Sequence, residues 1–165
     1  MRVRPPKTLP PLLIALLVLA AAPDAHAAMK KIGPLAFKPL HSEILLERTP
    51  AKVGAPAGAS SDWFAYAPVR LPRGATIDSV AFFATTAGGG RIQAYLGYFD
   101  VATDATDIRV IAAGQNSGDL STPTLLGADF DPAADRKVRP GNVYMAWIVA
   151  DPLTYLWELQ ISYTP

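Results

Sequence analysis

Tyr155-Leu156-Trp157-Glu158-Leu159-Gln160-Ile161-Ser162-Tyr163 is the stretch that decides the fold class. Tyr155, Trp157, Leu159, Ile161 and Tyr163 fall on one side of an extended chain. Leu156, Glu158, Gln160 and Ser162 fall on the other. Successive side chains of a strand point to opposite faces, so this period of two predicts a half-buried β-strand. Just upstream, residues 143–150 are apolar at every position. Val143, Met145, Trp147 and Val149 alternate there with Tyr144, Ala146 and Ile148. A strand covered on both faces has this composition. Asp151-Pro152 between the two segments is a turn signal and predicts a hairpin.

The same pattern continues towards the N-terminus. Residues 63–71 read as a strand that Pro68 moves towards a sheet edge, because proline gives the ladder no N–H. Pro72-Arg73-Gly74 is the following turn. Residues 76–86 are rich in β-branched and aromatic residues, Gly88-Gly89-Gly90 reads as a hairpin turn, and residues 91–100 place Ile92, Ala94, Leu96 and Tyr98 on one face. Residues 107–113 and 121–130 are further strands, and 29–40 and 43–48 complete the set. Residues 49–62, rich in Ala, Gly, Pro and Ser, read as a long surface loop. No segment has a sustained helical period with caps. Eight or nine short strands separated by turns predict an all-β fold, an antiparallel sandwich or barrel.

Residues 1–27 read differently. Arg2, Arg4 and Lys7 precede the apolar run 12–22, Pro23 ends it, and Ala25-His26-Ala27 offers small residues where a signal peptidase cuts. Eleven apolar residues span roughly 16 Å as a helix, about half a bilayer core, so a cleaved signal peptide is favoured over an anchor. The expected organisation is therefore a signal peptide, 1–27, and a single sandwich domain, 28–165. The expected location is periplasmic or extracellular.

Charge and composition then exclude several chemistries. Three of the 15 basic residues and one of the 14 acidic residues lie in 1–27, so the remainder holds 12 and 13 and is nearly neutral. It carries no basic block and no footprint for nucleic acid. There is no cysteine, which closes disulfides, thiolate metal sites and cysteine nucleophiles. His41 is the one histidine after residue 27 and reads as a surface residue, since no G-x-S-x-G elbow accompanies it. No cofactor is expected. Asp129, Asp131 and Asp135 are the residues a metal ion would use, as are Asp100, Asp104 and Asp107. Neither group has the spacing of a calcium loop, so solvated turns are the favoured reading. Glu158 and Asp78 are the acids a carboxylate-dependent hydrolase would draw on.

The aromatic residues are the best guide to binding. With Trp63, Ile92, Val143 and Trp157 facing the core, Phe64, Tyr66, Tyr95, Phe99 and Tyr144 face outward. Arg70, Arg91 and Gln93 lie beside them. Aromatic rings bordered by hydrogen-bonding side chains suit sugars or a protein partner. The expected ligand-binding residues are Tyr66, Tyr95, Tyr144, Arg70, Arg91 and Gln93.

A-P-V-R-L-P-R-G-A-T-I at 67–77, Val80-Ala81-Phe82-Phe83, R-I-Q-A-Y-L at 91–96, and the closing strands resemble a group of uncharacterised secreted bacterial β-sandwich proteins. Gly33-Pro34-Leu35-Ala36-Phe37-Lys38-Pro39 fits the same group. The resemblance implies a jelly-roll-like sandwich and transfers no catalytic residue. Together these readings point to an exported, non-catalytic binding or surface-associated module whose partner is a glycan or an envelope protein. A small carboxylate hydrolase and a structural subunit of an oligomeric envelope assembly are the alternatives.

Overall fold

The computed structural model describes residues 27–41, 44–100 and 108–165. The fold is all-β, and among the described residues every strand pairing is antiparallel. The strands are β1 (Ala28–Ile32), β2 (Lys38–Pro39), β3 (Glu47–Arg48), β4 (Val53–Gly54), β5 (Trp63–Val69), β6 (Thr76–Thr86), β7 (Ile92–Asp100), β8 (Ile108–Asn116), β9 (Leu120–Phe130), β10 (Asn142–Ala150) and β11 (Thr154–Thr164). Eight of these have five residues or more, which matches the strand number expected from sequence. The other three are two-residue ladders.

The order β2-β5-β10-β7-β8-β9-β6-β11-β4-β3 runs as one continuous path, with β1 on β11. The path curls into two facing layers. The front layer is β2-β5-β10-β7-β8; the back layer is β9-β6-β11 with β1, β3 and β4. They meet at a seam where β8 and β9 share two residue pairs, Ala112 with Phe130 and Ala113 with Asp129. Trp63, Ala65, Ala67, Ile92, Leu96, Ala146 and Ile148 from the front pack on Ile77, Phe82, Leu156, Leu159 and Ile161 from the back. Alternation makes this possible, because each strand sends every second side chain into the shared core.

Two turns behave differently from their sequence reading. Gly88-Gly89-Gly90 was expected to close a hairpin, yet β6 lies in the back layer and β7 in the front. Gly88 and Gly89 have φ of 63° and 73°, a left-handed pair that reverses the chain at a corner between layers. Asp119 accepts the Gly89 N–H at 2.6 Å and Asp151 accepts the Arg91 N–H at 2.7 Å, which fixes that corner. Asp151-Pro152 likewise joins β10 in front to β11 behind, and Pro72-Arg73-Gly74 joins β5 to β6 in the same way. Strong turn residues specify the reversal; the partner of each strand is set by the far side of the core.

Local irregularities account for the remaining differences. Residues 29–40 do not form one strand: Gly33 ends β1, and a single 3-10 turn, Pro34–Ala36, follows. Residues 49–62 include β4, and Val53 and Ala55 are buried, so this stretch is partly structural. Pro68 sits where β2 no longer covers β5, since β2 reaches only Ala65 and Tyr66. A bulge in β11 falls between Leu156 and Glu158. It switches phase, so Leu156 joins Leu159 and Ile161 in the core while Tyr155 and Trp157 are only half-buried. The strict alternation read from 155 to 163 holds only after the bulge. The expected signal segment lies outside the described residues, apart from Ala27. Among the described residues no helix is long and apolar enough to cross a membrane.

Candidate functional site

The outer face of the front layer carries a row of side chains set by register. Lys38 is opposite Tyr66, Tyr66 opposite Trp147, Trp147 opposite Tyr95, Tyr95 opposite Ala113 and Ala113 opposite Asp129. Three aromatic residues therefore stand side by side on β5, β10 and β7. All three are half-buried, as befits an outward position on a sheet. Trp147 and Tyr95 stack nearly parallel, at 10°, with ring centroids 5.1 Å apart. Offset stacking is the favoured geometry of two quadrupolar rings.

Gly97 makes room for this stack. A Cβ there would stand 2.9 Å from the indole ring of Trp147 and 2.5 Å from the Arg109 carbonyl oxygen. Glycine at 97 lets the indole lie against β7. The stack uses one face of each ring and leaves the second face of Tyr95 free.

That second face borders a depression of about 350 Å³. Ala113, Gly114 and Gly127 form a floor of small residues. Gln93, Gln115 and Asp129 supply polar groups at its rim. The Gln93 Nε2 donates to Gln115 Oε1 at 3.4 Å. The depression exists because β8 and β9 diverge at the seam after two shared pairs. Gly114 is required there: a Cβ would meet Phe82 at 2.6 Å and the Gly127 carbonyl oxygen at 2.8 Å.

Of the expected binding residues, the structure brings Tyr66, Tyr95 and Gln93 together. Arg70 and Arg91 share the same outward face but stand at its opposite ends, because β5 and β7 both run antiparallel to β10. Arg91 approaches Asp62 at 3.8 Å and Asp151 at 4.0 Å. Tyr144 belongs to the core instead. It is 5% exposed, its ring packs on Tyr98, and its hydroxyl accepts the Arg139 N–H at 3.0 Å. Val143, expected inside, is 51% exposed. The phase of β10 is thus the reverse of the sequence reading, and Trp147 takes the outward place given to Tyr144. Phe64 and Phe99 are half-buried.

The acidic residues are engaged elsewhere. Asp131 accepts the Ala133 N–H at 2.9 Å. Asp135 accepts the Lys137 N–H at 2.9 Å and pairs with the Arg139 guanidinium. These hydrogen bonds hold the Asp135 carboxyl below the usual carboxylate range, the backbone bond contributing most. A general acid in glycoside hydrolysis needs the opposite shift. Asp129 points instead to the depression beside Tyr95, so the three aspartates 129, 131 and 135 do not converge; among the described residues no group of three His, Asp or Glu could hold a metal ion. Asp104 and Asp107 lie outside the described residues. Glu158 pairs with Lys31 at 3.2 Å, and Asp78 accepts the Thr164 hydroxyl at 2.7 Å, both on the back layer. His41 is exposed.

Sequence reasoning missed Trp147, Gln115, Ala113 and Gly127, and considered Asp129 only as a metal ligand. The available signal was Gly97. A lone glycine inside a strand of large residues marks a close approach, here by Trp147.

No protein-family model matches the chain, and no curated protein matches it significantly. Its fold is similar to part of a solved structure from Clostridium thermocellum. That structure comprises the CBM22-1 and GH10 modules of the N-terminal endo-1,4-β-D-xylanase 10B, complexed with xylohexaose. The TM-score is 0.52 at 14% identity, and the match covers 81% of this chain and 27% of that one. The chain thus corresponds to about a quarter of that protein's length, and the likeness is one of fold: an antiparallel β-sandwich of jelly-roll type.

Proposed function

We propose that this chain is an exported, non-catalytic glycan-binding module whose ligand lies on the outer face of the front layer. The observation that carries the reading is Tyr95. One face of its ring is stacked on Trp147, and the other walls a depression with a small-residue floor and a rim of two amides and a carboxylate. A pyranose ring offers an apolar face of C–H groups and an equator of hydroxyls. An aromatic wall with neighbouring amide and carboxylate groups complements both. Export follows from the reading of residues 1–27 as a signal peptide. The likeness in fold to a structure complexed with xylohexaose supports a glycan as ligand.

Xylohexaose and cellohexaose are the first probes. Calorimetric titration of the purified protein is expected to show binding to at least one member of a panel of soluble oligosaccharides. Tyr95→Ala is expected to weaken that binding by about tenfold or more, as for a central aromatic contact. Gln115→Ala provides a second variant on the same depression that leaves the ring stack intact. Unchanged affinity in both, with the fold retained by circular dichroism, would rule out the Tyr95 depression as the site.

A further inference from the structure

The outer face that bears the aromatic row ends in a second feature. Tyr66, Pro68 and Arg70 alternate on the outward side of β5, as Trp147, Met145 and Val143 do on β10. Four residues along an antiparallel strand cover about 13 Å. At that distance from the aromatic row, a cleft of about 550 Å³ is lined by Arg70, Arg73 and Arg139, with Asn142 and Pro140. Among the described residues no carboxylate lines it.

The backbone holds these arginines in place. Arg73 lies in the turn between β5 and β6, whose Gly74 N–H donates to the Val138 carbonyl at 2.8 Å, while the Val138 N–H donates to the Ala75 carbonyl at 2.7 Å. Residue 139 is next in the chain, and its N–H is held by the Tyr144 hydroxyl. Arg139 is neutralised by Asp135. Arg70 and Arg73 are exposed, and among the described residues neither makes an ion pair or a hydrogen bond. Two unopposed guanidinium groups beside a concave surface concentrate positive potential there and present forked donors suited to a carboxylate or a sulfate.

We infer that the cleft lined by Arg70, Arg73 and Arg139 is an anion subsite, so that the glycan recognised by the aromatic row is an acidic one, substituted with a carboxylate or a sulfate ester. This rests on the glycan-binding reading of the Tyr95 face. The subsite lies on the same sheet face and is reached by a chain or branch running along β5 and β10. Its contribution is electrostatic and weakens with salt, since the groups are solvent-exposed.

The test titrates the full chain with three oligosaccharides of one backbone: neutral xylohexaose, a xylo-oligosaccharide bearing a glucuronic acid branch, and a sulfated xylo-oligosaccharide. Arg70→Gln/Arg73→Gln is compared with Lys30→Gln/Lys31→Gln, which removes the same charge from β1. At low ionic strength at least one acidic ligand is expected to bind about tenfold tighter than the neutral one, the scale of charge-assisted hydrogen bonds. The preference is expected to collapse in Arg70→Gln/Arg73→Gln and at high salt, and to persist in the lysine variant. Which acidic ligand gains identifies the anion. Equal binding of neutral and acidic ligands, or an acidic preference insensitive to Arg70 and Arg73, overturns the subsite and leaves the Tyr95 reading standing. Absence of binding to all three overturns the subsite, and absence of binding across the whole oligosaccharide panel overturns the Tyr95 reading as well.

Discussion

Tyr144→Ala is expected to lower the thermal midpoint by on the order of 10–20 °C, as for removal of a large buried aromatic side chain at about 3–5 kcal/mol. The cause is packing and a lost hydrogen bond. The ring is buried against Tyr98 with centroids 5.6 Å apart. Its hydroxyl accepts the Arg139 N–H and lies 3.4 Å from the Lys137 carbonyl oxygen, which it serves as donor. That single hydroxyl ties the crossing segment 137–139 to β10. Tyr144→Phe keeps the ring and separates the two contributions; its cost is expected to be about 1 kcal/mol. Thermal unfolding followed by circular dichroism measures both. The remaining folded fraction of Tyr144→Ala is expected to keep its affinity for a neutral glycan, because Tyr144 does not line the Tyr95 depression. Loss of neutral-glycan affinity in a fully folded Tyr144 variant would restore the outward orientation read from sequence.

Trp63→Ala is expected to destabilise by a similar amount, about 3–5 kcal/mol, through the cavity it leaves. Trp63 is 1% exposed and begins β5. Its indole N–H is shared between the carbonyl oxygens of Asp151 and Thr154, each at 3.2 Å. Those two residues bracket the corner at which the chain leaves the front layer for the back. Trp63 therefore joins three things: the core, β5 and the β10–β11 corner. Trp63→Phe retains much of the apolar volume and loses the donor, and is expected to cost about 1–3 kcal/mol. Denaturant unfolding at constant slope checks the ranking of Ala below Phe. Equal stability of Trp63→Phe and wild type would show that the corner does not depend on the indole N–H.

The fold class was legible because period-two alternation is a local property. Residues 92–98 alternate, and the inward set is the one the pattern indicates: Ile92, Ala94, Leu96 and Tyr98. In β10 the same method had nothing to work on. Every residue from Val143 to Ala150 is apolar, so either phase satisfies the pattern, and the choice is made by packing against β5 and β7 on both sides. That single ambiguity exchanged Tyr144 for Trp147 in the expected binding set. The bulge beside Trp157 had a comparable effect in β11, since one extra residue reverses the faces of everything before it. Turn residues at 88–90 and 151–152 announced a reversal correctly. Whether the chain then pairs with itself or crosses to the opposite layer depends on strands far away in sequence. Half of the expected binding residues, Tyr66, Tyr95 and Gln93, therefore lie in the candidate site. The depression was not, because its floor comes from β8 and β9 at a seam that only the assembled sheet creates.

The proposed glycan lies on the outer face of the front layer at Tyr95. Backbone amide shifts of the labelled protein, followed during titration with the oligosaccharide that binds best, locate it residue by residue. Perturbations are expected to cluster at Gln93, Tyr95, Ala113, Gln115 and Asp129 and to extend to Trp147 and Tyr66. Perturbations confined to the back layer, around Phe83, Leu125 and Trp157, would contradict this placement.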